Sequence, residues 1–473
     1  MDSKTLKNRF KWVFGVAALL FVLLGIWLML GPTARMGGQV TAAATVAHYK
    51  QSQNKRGSFL DAQMQPIALP SRVGTQNRSY PDEEAAKAYG SVLGYSTDMY
   101  GHFGLEGLYN EVLLTPADDK STDGQNVQLT LNTTLQKAVA AQIGGYKEGA
   151  AGLVMNAKTG EMLACVSAPL LDLARFDEQY ETNSKMDALF LNKALLTYVP
   201  GSVMKLVTSG AILNAGLENE QYYDSGRETV PGYSRPLHNY AGWSFGKISL
   251  VGGLGNSVNT YFAHQAMNEK IGAAGLEKIQ EKYLFNQKIA LDFGNMEAST
   301  TNMRTEDGRE DLFQVAQTAF GQGDVTRMSP VHVAMITATL ANGGDTPKPY
   351  MVQRIVPPDT KKLPAATKPT WLAKNVLRKS DCAFIREGML VSANGTFGKE
   401  YVAETGVRSK TGTAEVQTNG VQLVNQWLTV IAPVNGEDYI ITLMVLDQPL
   451  ANSGRLLGDP VKAIRKILNE VTK

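Results

Sequence analysis

The tail of the chain reads as a β-meander, and this constrains the fold most. "TGTAEV" is followed by Asn419-Gly420, "QWLTVIAPV" by Asn435-Gly436, and "DYIITLMVL" ends the pattern. Asn-Gly favours the two-residue turns whose twist matches paired strands, so three consecutive antiparallel strands are expected. Far upstream, "AGLVMNAKTGEMLACVSAP" carries two more β-type runs around a Lys-Thr-Gly turn. The first and last strands can then meet in one antiparallel sheet with a largely helical middle between them. "VQLTLNTTLQKAVAAQI" adds a strand and a helix started by Asn132 or Thr133. A final helix is expected from Asp459 as N-cap with Pro460 at its first position, and Val461, Ile464, Leu468 and Val471 form its apolar face.

The 473 residues exceed one ordinary domain. Trp12 to Leu30 is an uncharged run of 19 residues. As a helix it would span roughly 28 Å, close to the hydrocarbon thickness of a bilayer. Lys4, Lys7, Arg9 and Lys11 precede it and only Arg35 follows closely, which puts the N-terminus in the cytoplasm and the rest outside. The run is longer than the apolar core of a secretion signal, so an uncleaved anchor is expected. Gly31 to Gly124 reads as a small module of modest core, and "TPADDKSTDGQN" as a linker or loop. Cys165 and Cys382 are the only cysteines; buried free thiols are expected, with one disulfide as the alternative. Lys+Arg 46 against Asp+Glu 44 leaves +2, and no basic tract argues for nucleic acid.

Chemistry is concentrated in three short elements. Ser202-Val-Met-Lys205 follows Pro200-Gly201 and sets a hydroxyl and an amine one helical turn apart in an apolar segment. Backbone N–H groups of a first turn can stabilise an oxyanion, and a desolvated amine can take the proton of the hydroxyl. Alone the pattern is weak, since Ser52-Lys55 and Ser244-Lys247 share it; Ser-x-Asn also recurs at Ser52 and Ser392, and Lys-Thr-Gly at Lys158. Order discriminates. Only Ser202/Lys205, then Ser257-Val-Asn259, then Lys410-Thr411-Gly412 places a nucleophile on a helix start, a polar pair in a loop and a lysine on a strand.

In this order the elements resemble those of the penicillin-recognising serine enzymes, with Val258 where the usual middle element has Asp. "NKALLTYVPGSVMKLVTSGAIL", "GKISLVGGLGNSVNTYFAHQA", "AFGQGDVTRMSPVHVAMITATLANGG" and "RSKTGTAEV" extend the likeness to class B penicillin-binding proteins. "KRGSFLDAQMQPIA" and "GLEGLYN" are similar to that family's pedestal.

The resemblance implies an α+β fold, a central antiparallel sheet flanked by helices, behind a cytoplasmic tail and transmembrane anchor (1–35), a pedestal (36–126) and a transpeptidase domain (127–473). It implies a cell-membrane D,D-transpeptidase whose Ser202 attacks the penultimate D-Ala carbonyl of a peptidoglycan stem pentapeptide and is acylated by β-lactams. Lys205 would activate Ser202, and Ser257 would relay a proton to the leaving amine. Asn259 would bind the substrate backbone, while Lys410 with the hydroxyls of Thr411 and Thr413 would hold the terminal carboxylate. Gly412 would let the strand approach the ligand, and the N–H groups of Ser202 and Thr413 would form the oxyanion hole. Neither cofactor nor metal is implied; glycan polymerisation is left to a partner, a SEDS-type glycosyltransferase.

The expectation depends on the Ser202 hydroxyl lying within bonding reach of both lysine amines. Rival readings are a D,D-carboxypeptidase or serine β-lactamase-like hydrolase, and a non-catalytic scaffold or β-lactam sensor. No Gly-x-Ser-x-Gly elbow, HExxH, Walker loop or GxGxxG occurs. His48, His102, His238, His264 and His332 therefore read as structural or surface residues, and Gly321-Gln-Gly323 as a turn beside the site.

Overall fold

The computed structural model describes residues 55–473 except 73–77, 98–99, 118–122, 183–188, 324, 359, 361 and 450–455; of the first 54 residues it describes only Gly15, Leu19 and Leu20. The apolar run Trp12–Leu30 thus lies almost wholly outside the described residues, and among those described no helix is long and apolar enough to cross a membrane.

The chain begins with β1 (Phe59–Leu60) and β2 (Pro66–Ala68), then helix α1 (Glu83–Ala88) and β3 (Asn126–Leu129). Helix α2 (Thr133–Ile143) starts as expected, because the side chain of Asn132 accepts from Leu135 N at 3.0 Å. The hairpin of β4 (Ala150–Asn156) and β5 (Met162–Ala168) is closed by Asn156 Oδ1, which accepts from the backbone of Lys158 and Thr159. The helical middle supplies α3 (Lys205–Asn214), α4 (Leu250–Gly255), α5 (Asn259–Ala266), α6 (Leu312–Ala319) and α7 (Pro330–Ala341). Strand β6 (Val352–Val356) and helix α8 (Lys379–Phe397) lead to β7 (Arg408–Thr418), β8 (Val421–Val434), β9 (Glu437–Pro449) and α9 (Gly458–Val471).

Asn419, Gly420, Asn435 and Gly436 all have positive φ, the geometry that makes the expected tight turns. The five long strands form one antiparallel sheet, ordered β7-β8-β9-β4-β5. Its centre is the pairing of β9 with β4, Ile441 opposite Val154, so the two ends of the sequence do meet. A second sheet, ordered β6-β3-β1-β2, joins strands from both sides of residue 126.

Both faces of the large sheet are covered. Leu428, Val430, Ile441 and Leu443 pack with Leu135, Val139, Ile464 and Leu468 of α2 and α9. Residues of opposite parity, Trp427, Ile431, Ile440 and Met444, pack with α3 and α7. Burial on both sides explains why these strands read as near-continuous apolar runs. The exceptions bond one another. Thr337 Oγ1 donates to Val333 O at 2.8 Å, which leaves it to accept from Thr429 at 2.8 Å, which in turn accepts from Thr442 at 3.0 Å.

The expected cap of α9 is corrected: the helix starts at Gly458 with Leu457 as N-cap, and Asp459 lies inside the first turn, 3.3 Å from Lys462 Nζ. Cys165 and Cys382 are buried free thiols, their pKa pushed up to about 12 by burial. His332 is fully buried, donating from Nε2 to Tyr283 O and accepting at Nδ1 from Ser299, each at 2.6 Å. Burial lowers its pKa to about 4.

Truncating Ile464 to Ala should cost about 2–5 kcal/mol, because a fully buried side chain is removed between α9 and the sheet. The exposed Lys466→Ala change on the same helix should stay within about 0.5 kcal/mol. Urea unfolding of the two variants checks the pair.

Candidate active site

The segment before Ser202 is pinned before any helix begins. Tyr198 exchanges backbone hydrogen bonds with Met328 at 2.9 Å each, and Trp427 Nε1 donates to Val199 O at 3.0 Å. The turn Gly201–Met204 is 3₁₀ and runs into α3 at Lys205. This refines the expected single helix. Side chains at i and i+3 eclipse in a 3₁₀ turn, which sets Ser202 under Lys205 more closely than an α-helix would. Ser202 is half-buried, whereas Lys205 is 0% exposed.

Three glycines allow the surrounding backbones to converge. A Cβ on Gly201 (φ 57°) would fall 2.7 Å from the Thr413 carbonyl, and one on Gly321 (φ 80°) would fall 1.9 Å from Gly201 O. Gly201 N donates to Gly321 O at 2.9 Å, and Gln322 Nε2 to Thr413 O at 3.3 Å. The Gly-Gln-Gly segment is therefore a turn wedged under the nucleophile, as its sequence suggests. For Gly412 the reason differs from the one expected. Its missing Cβ makes room for Pro200 O, 2.7 Å away, so the close approach is to the turn that carries Ser202.

Ser257 occupies a position that usually belongs to glycine. Helix α4 ends at Gly255 with Asn256 as C-cap; Ser257 follows with φ 57°, its N–H on Leu254 O at 3.2 Å, and Val258 N bonds Gly253 O at 2.8 Å. These two bonds make a Schellman motif, in which the residue at Ser257 must be left-handed. A non-glycine residue there costs roughly 1–2 kcal/mol. Asn259 is the first residue of α5, so the Ser-x-Asn element lies across a helix-helix junction.

These elements deliver one polar cluster. Lys205 Nζ donates to Ser257 O and to Asn259 Oδ1 at 2.7 Å each, and lies 3.2 Å from Ser257 Oγ. Lys410 Nζ, on the third residue of β7, donates to the same Oγ at 2.8 Å and to Thr411 O at 2.9 Å. Neither amine hydrogen-bonds Ser202 Oγ: the two lysines meet across Ser257 instead. Thr411 and Thr413 are half-buried on the same edge strand, opposite in parity to Lys410, and add no side-chain hydrogen bond to the cluster.

Burial sets the charges. Lys410, also 0% exposed, has its pKa lowered to about 7 by desolvation. Lys205 is held well below the usual lysine range, by desolvation first and by the nearby Lys410 second. The Phe262 ring, 5.5 Å from Lys205 Nζ, supplies part of the apolar wall. Among the described residues no group of three His, Cys, Asp or Glu side chains could hold a metal ion.

Sequence reading missed the residues that orient Asn259. Buried Asp224 accepts from Asn239 Nδ2, Thr260 Oγ1, Gly226 N and Phe245 N, and Asn239 Oδ1 accepts from Thr260 N. The network fixes the 224–245 segment against α5, where His238 O receives Asn259 Nδ2 at 3.1 Å. Asn259 Oδ1 is thereby aimed at Lys205. Thr260 adjoins a motif residue, but Asp224 and Asn239 sit in loop sequence without any local signal. A cleft of about 790 Å³ opens beside Asn259, lined also by His238, Phe313, Gln317, Gln322 and Glu415.

Residues 150–467 match the penicillin binding protein transpeptidase domain. Over 92% of its length the chain is 25% identical to the peptidoglycan D,D-transpeptidase PbpA of Mycolicibacterium smegmatis, covering 89% of that protein. It is 27% identical to the stage V sporulation protein D of Bacillus subtilis over 87% of this chain and 61% of that one. A penicillin G acyl-enzyme complex of penicillin-binding protein A from M. tuberculosis superposes with a TM-score of 0.74 at 25% identity, covering 89% of this chain and all of the other. With more than half of its length matched and all three sequence elements gathered beside one cleft, the chain belongs to the penicillin binding protein transpeptidase family.

Proposed function

We propose that the protein is a peptidoglycan D,D-transpeptidase, acting through a Ser202 acyl-enzyme that β-lactams also form. The observation that carries the reading is the buried Lys205–Ser257–Lys410 bridge next to Ser202. A neutral Lys205 has two N–H groups, matched by its two 2.7 Å acceptors, and one lone pair left to take the proton of Ser202. As Ser202 Oγ bonds to the penultimate D-Ala carbonyl carbon, the developing oxyanion is held by the N–H groups of Ser202 and Thr413. The proton then passes from Lys205 through the Ser257 hydroxyl to the departing D-Ala nitrogen, and the C–N bond breaks. Lys410, with Thr411 and Thr413, holds the terminal carboxylate, and Asn259 the substrate backbone. An amine from a second stem peptide takes the acyl group and restores Ser202.

The remaining assignments follow from this reading. Trp12–Leu30 anchors the chain in the cell membrane with the N-terminus cytoplasmic, residues 36–126 act as pedestal to a transpeptidase domain at 127–473, and a SEDS-type glycosyltransferase supplies the glycan strand. Substrate is drawn from the membrane surface, where both partners work.

Intact mass after incubation with benzylpenicillin should rise by one drug mass, and Ser202→Ala should stay unmodified; an adduct on the variant would refute the assignment. Ser257→Gly should leave stability within about 1 kcal/mol of the parent, since glycine fits the left-handed position, while acylation slows by about 10²–10⁴-fold with the relay hydroxyl gone. Near-parental acylation would remove Ser257 from the proton path. The pH profile of the second-order acylation rate should be a bell. Lys410 carries its charge only below about 7, so its hold on a carboxylate weakens as pH rises through that value. The acid limb reports protonation of Lys205, held well below the lysine range. A stopped-flow rate that climbs steadily to pH 10 would contradict both shifts.

A further inference from the structure

Strand β7 is the end strand of the large sheet, and among the described residues no strand pairs with its outer edge. It carries Lys410 near its start and, two residues past Thr413, the exposed carboxylate of Glu415. Glu415 is the only carboxylate among the described residues lining the 790 Å³ cleft, and neither lysine nor arginine lines it. Gln422 Nε2 on the adjoining strand donates to Glu415 Oε2 at 3.0 Å, which steadies the carboxylate without neutralising it. The edge therefore presents a cation-binding end and an anion-binding end in reverse order of charge, Lys410 for a carboxylate and Glu415 for an ammonium.

We propose that Glu415 selects acyl donors bearing a free ammonium on the side chain of the residue that precedes the acylated D-Ala, a diamino acid. This rests on the transpeptidase reading. With the terminal carboxylate at Lys410 and the reacting carbonyl at Thr413, the stem continues along β7 toward Glu415. Thr413 and Glu415 are two residues apart, roughly 6–7 Å along an extended strand. That distance is within the reach of an amine at the end of a lysine-like side chain one residue upstream of the acyl group. The surrounding lining, Phe313, Gln314 and Gln317 among it, offers an apolar and neutral polar bed in which a single charge pair decides preference.

The test compares two thioester stem mimics, identical except that the side-chain amine is free in one and N-acetylated in the other. Ser202 acylation by each is followed by mass spectrometry and stopped flow. The full-length protein should prefer the free amine by roughly threefold to fivefold, as befits an exposed ion pair, and the preference should shrink in high salt. Glu415→Gln should bring the ratio to about one, and Glu415→Lys should invert it. No preference in the parent, a salt-independent preference, or a ratio unchanged in Glu415→Gln overturns the proposal. The salt series on the parent decides the matter even where a variant is poorly folded. Should neither mimic nor benzylpenicillin acylate Ser202, the transpeptidase reading falls; equal acylation by both mimics removes the role of Glu415 alone.

Discussion

Two buried amines facing one hydroxyl are the constraint to which the rest of the molecule answers. An ammonium taken out of water is penalised by several kcal/mol even after relaxation, and a second cation nearby raises the penalty. Lys205 and Lys410 have no carboxylate in hydrogen-bond contact; their acceptors are a hydroxyl, an amide oxygen and two carbonyls. Neutral acceptors satisfy the N–H groups without stabilising the charge. The consequence is a pair of lysines whose proton affinity is reduced near neutral pH, the condition under which an amine can act as a base.

Such a cluster has to be held by the scaffold, since nothing within it favours assembly. Lys410 is fixed by β7, whose register with β8 places Gly412 opposite Trp427, and Trp427 in turn holds the turn that bears Ser202. Lys205 is fixed by α3, packed on the same face of the sheet. Ser257 reaches the midpoint because a Schellman motif bends the chain back between α4 and α5. The positions of Gly201, Gly321 and Gly412 show how close the backbones must come, since none could accept a methyl group without displacing a carbonyl.

What the sequence disclosed divides along the same physical line. Periodicity and turn chemistry are local, so the three C-terminal strands, the Lys158 hairpin and the Asn132 cap were legible, and the pairing of β9 with β4 followed from matching apolar runs. Ser202, Lys205, Ser257, Asn259 and Lys410 were legible as an ordered set, although the bonding pattern was not: the amines converge on Ser257 rather than on Ser202. Asp224 and Asn239 left no trace because they act through contacts between segments remote from the motif. The cap of α9 was misplaced by one residue because Asp459-Pro460 satisfies the local rule, yet the helix is extended back to Gly458 against α8 and the sheet.

Ser257 shows how the two levels interact. Local preference at a left-handed cap favours glycine, and every other feature of that junction conforms to the usual pattern, so the strained serine is the single departure. A departure from local preference persists only when surrounding contacts over-determine it. Here Val258 is fully buried on one side, and Lys205 and Lys410 claim the hydroxyl on the other. The backbone strain at Ser257 and the desolvation of two lysines are thus opposed by burial spread over both faces of a five-stranded sheet. The same separation explains why truncating Ile464 should destabilise the protein far from the chemistry, whereas relaxing Ser257 to glycine should remove chemistry at little loss of stability.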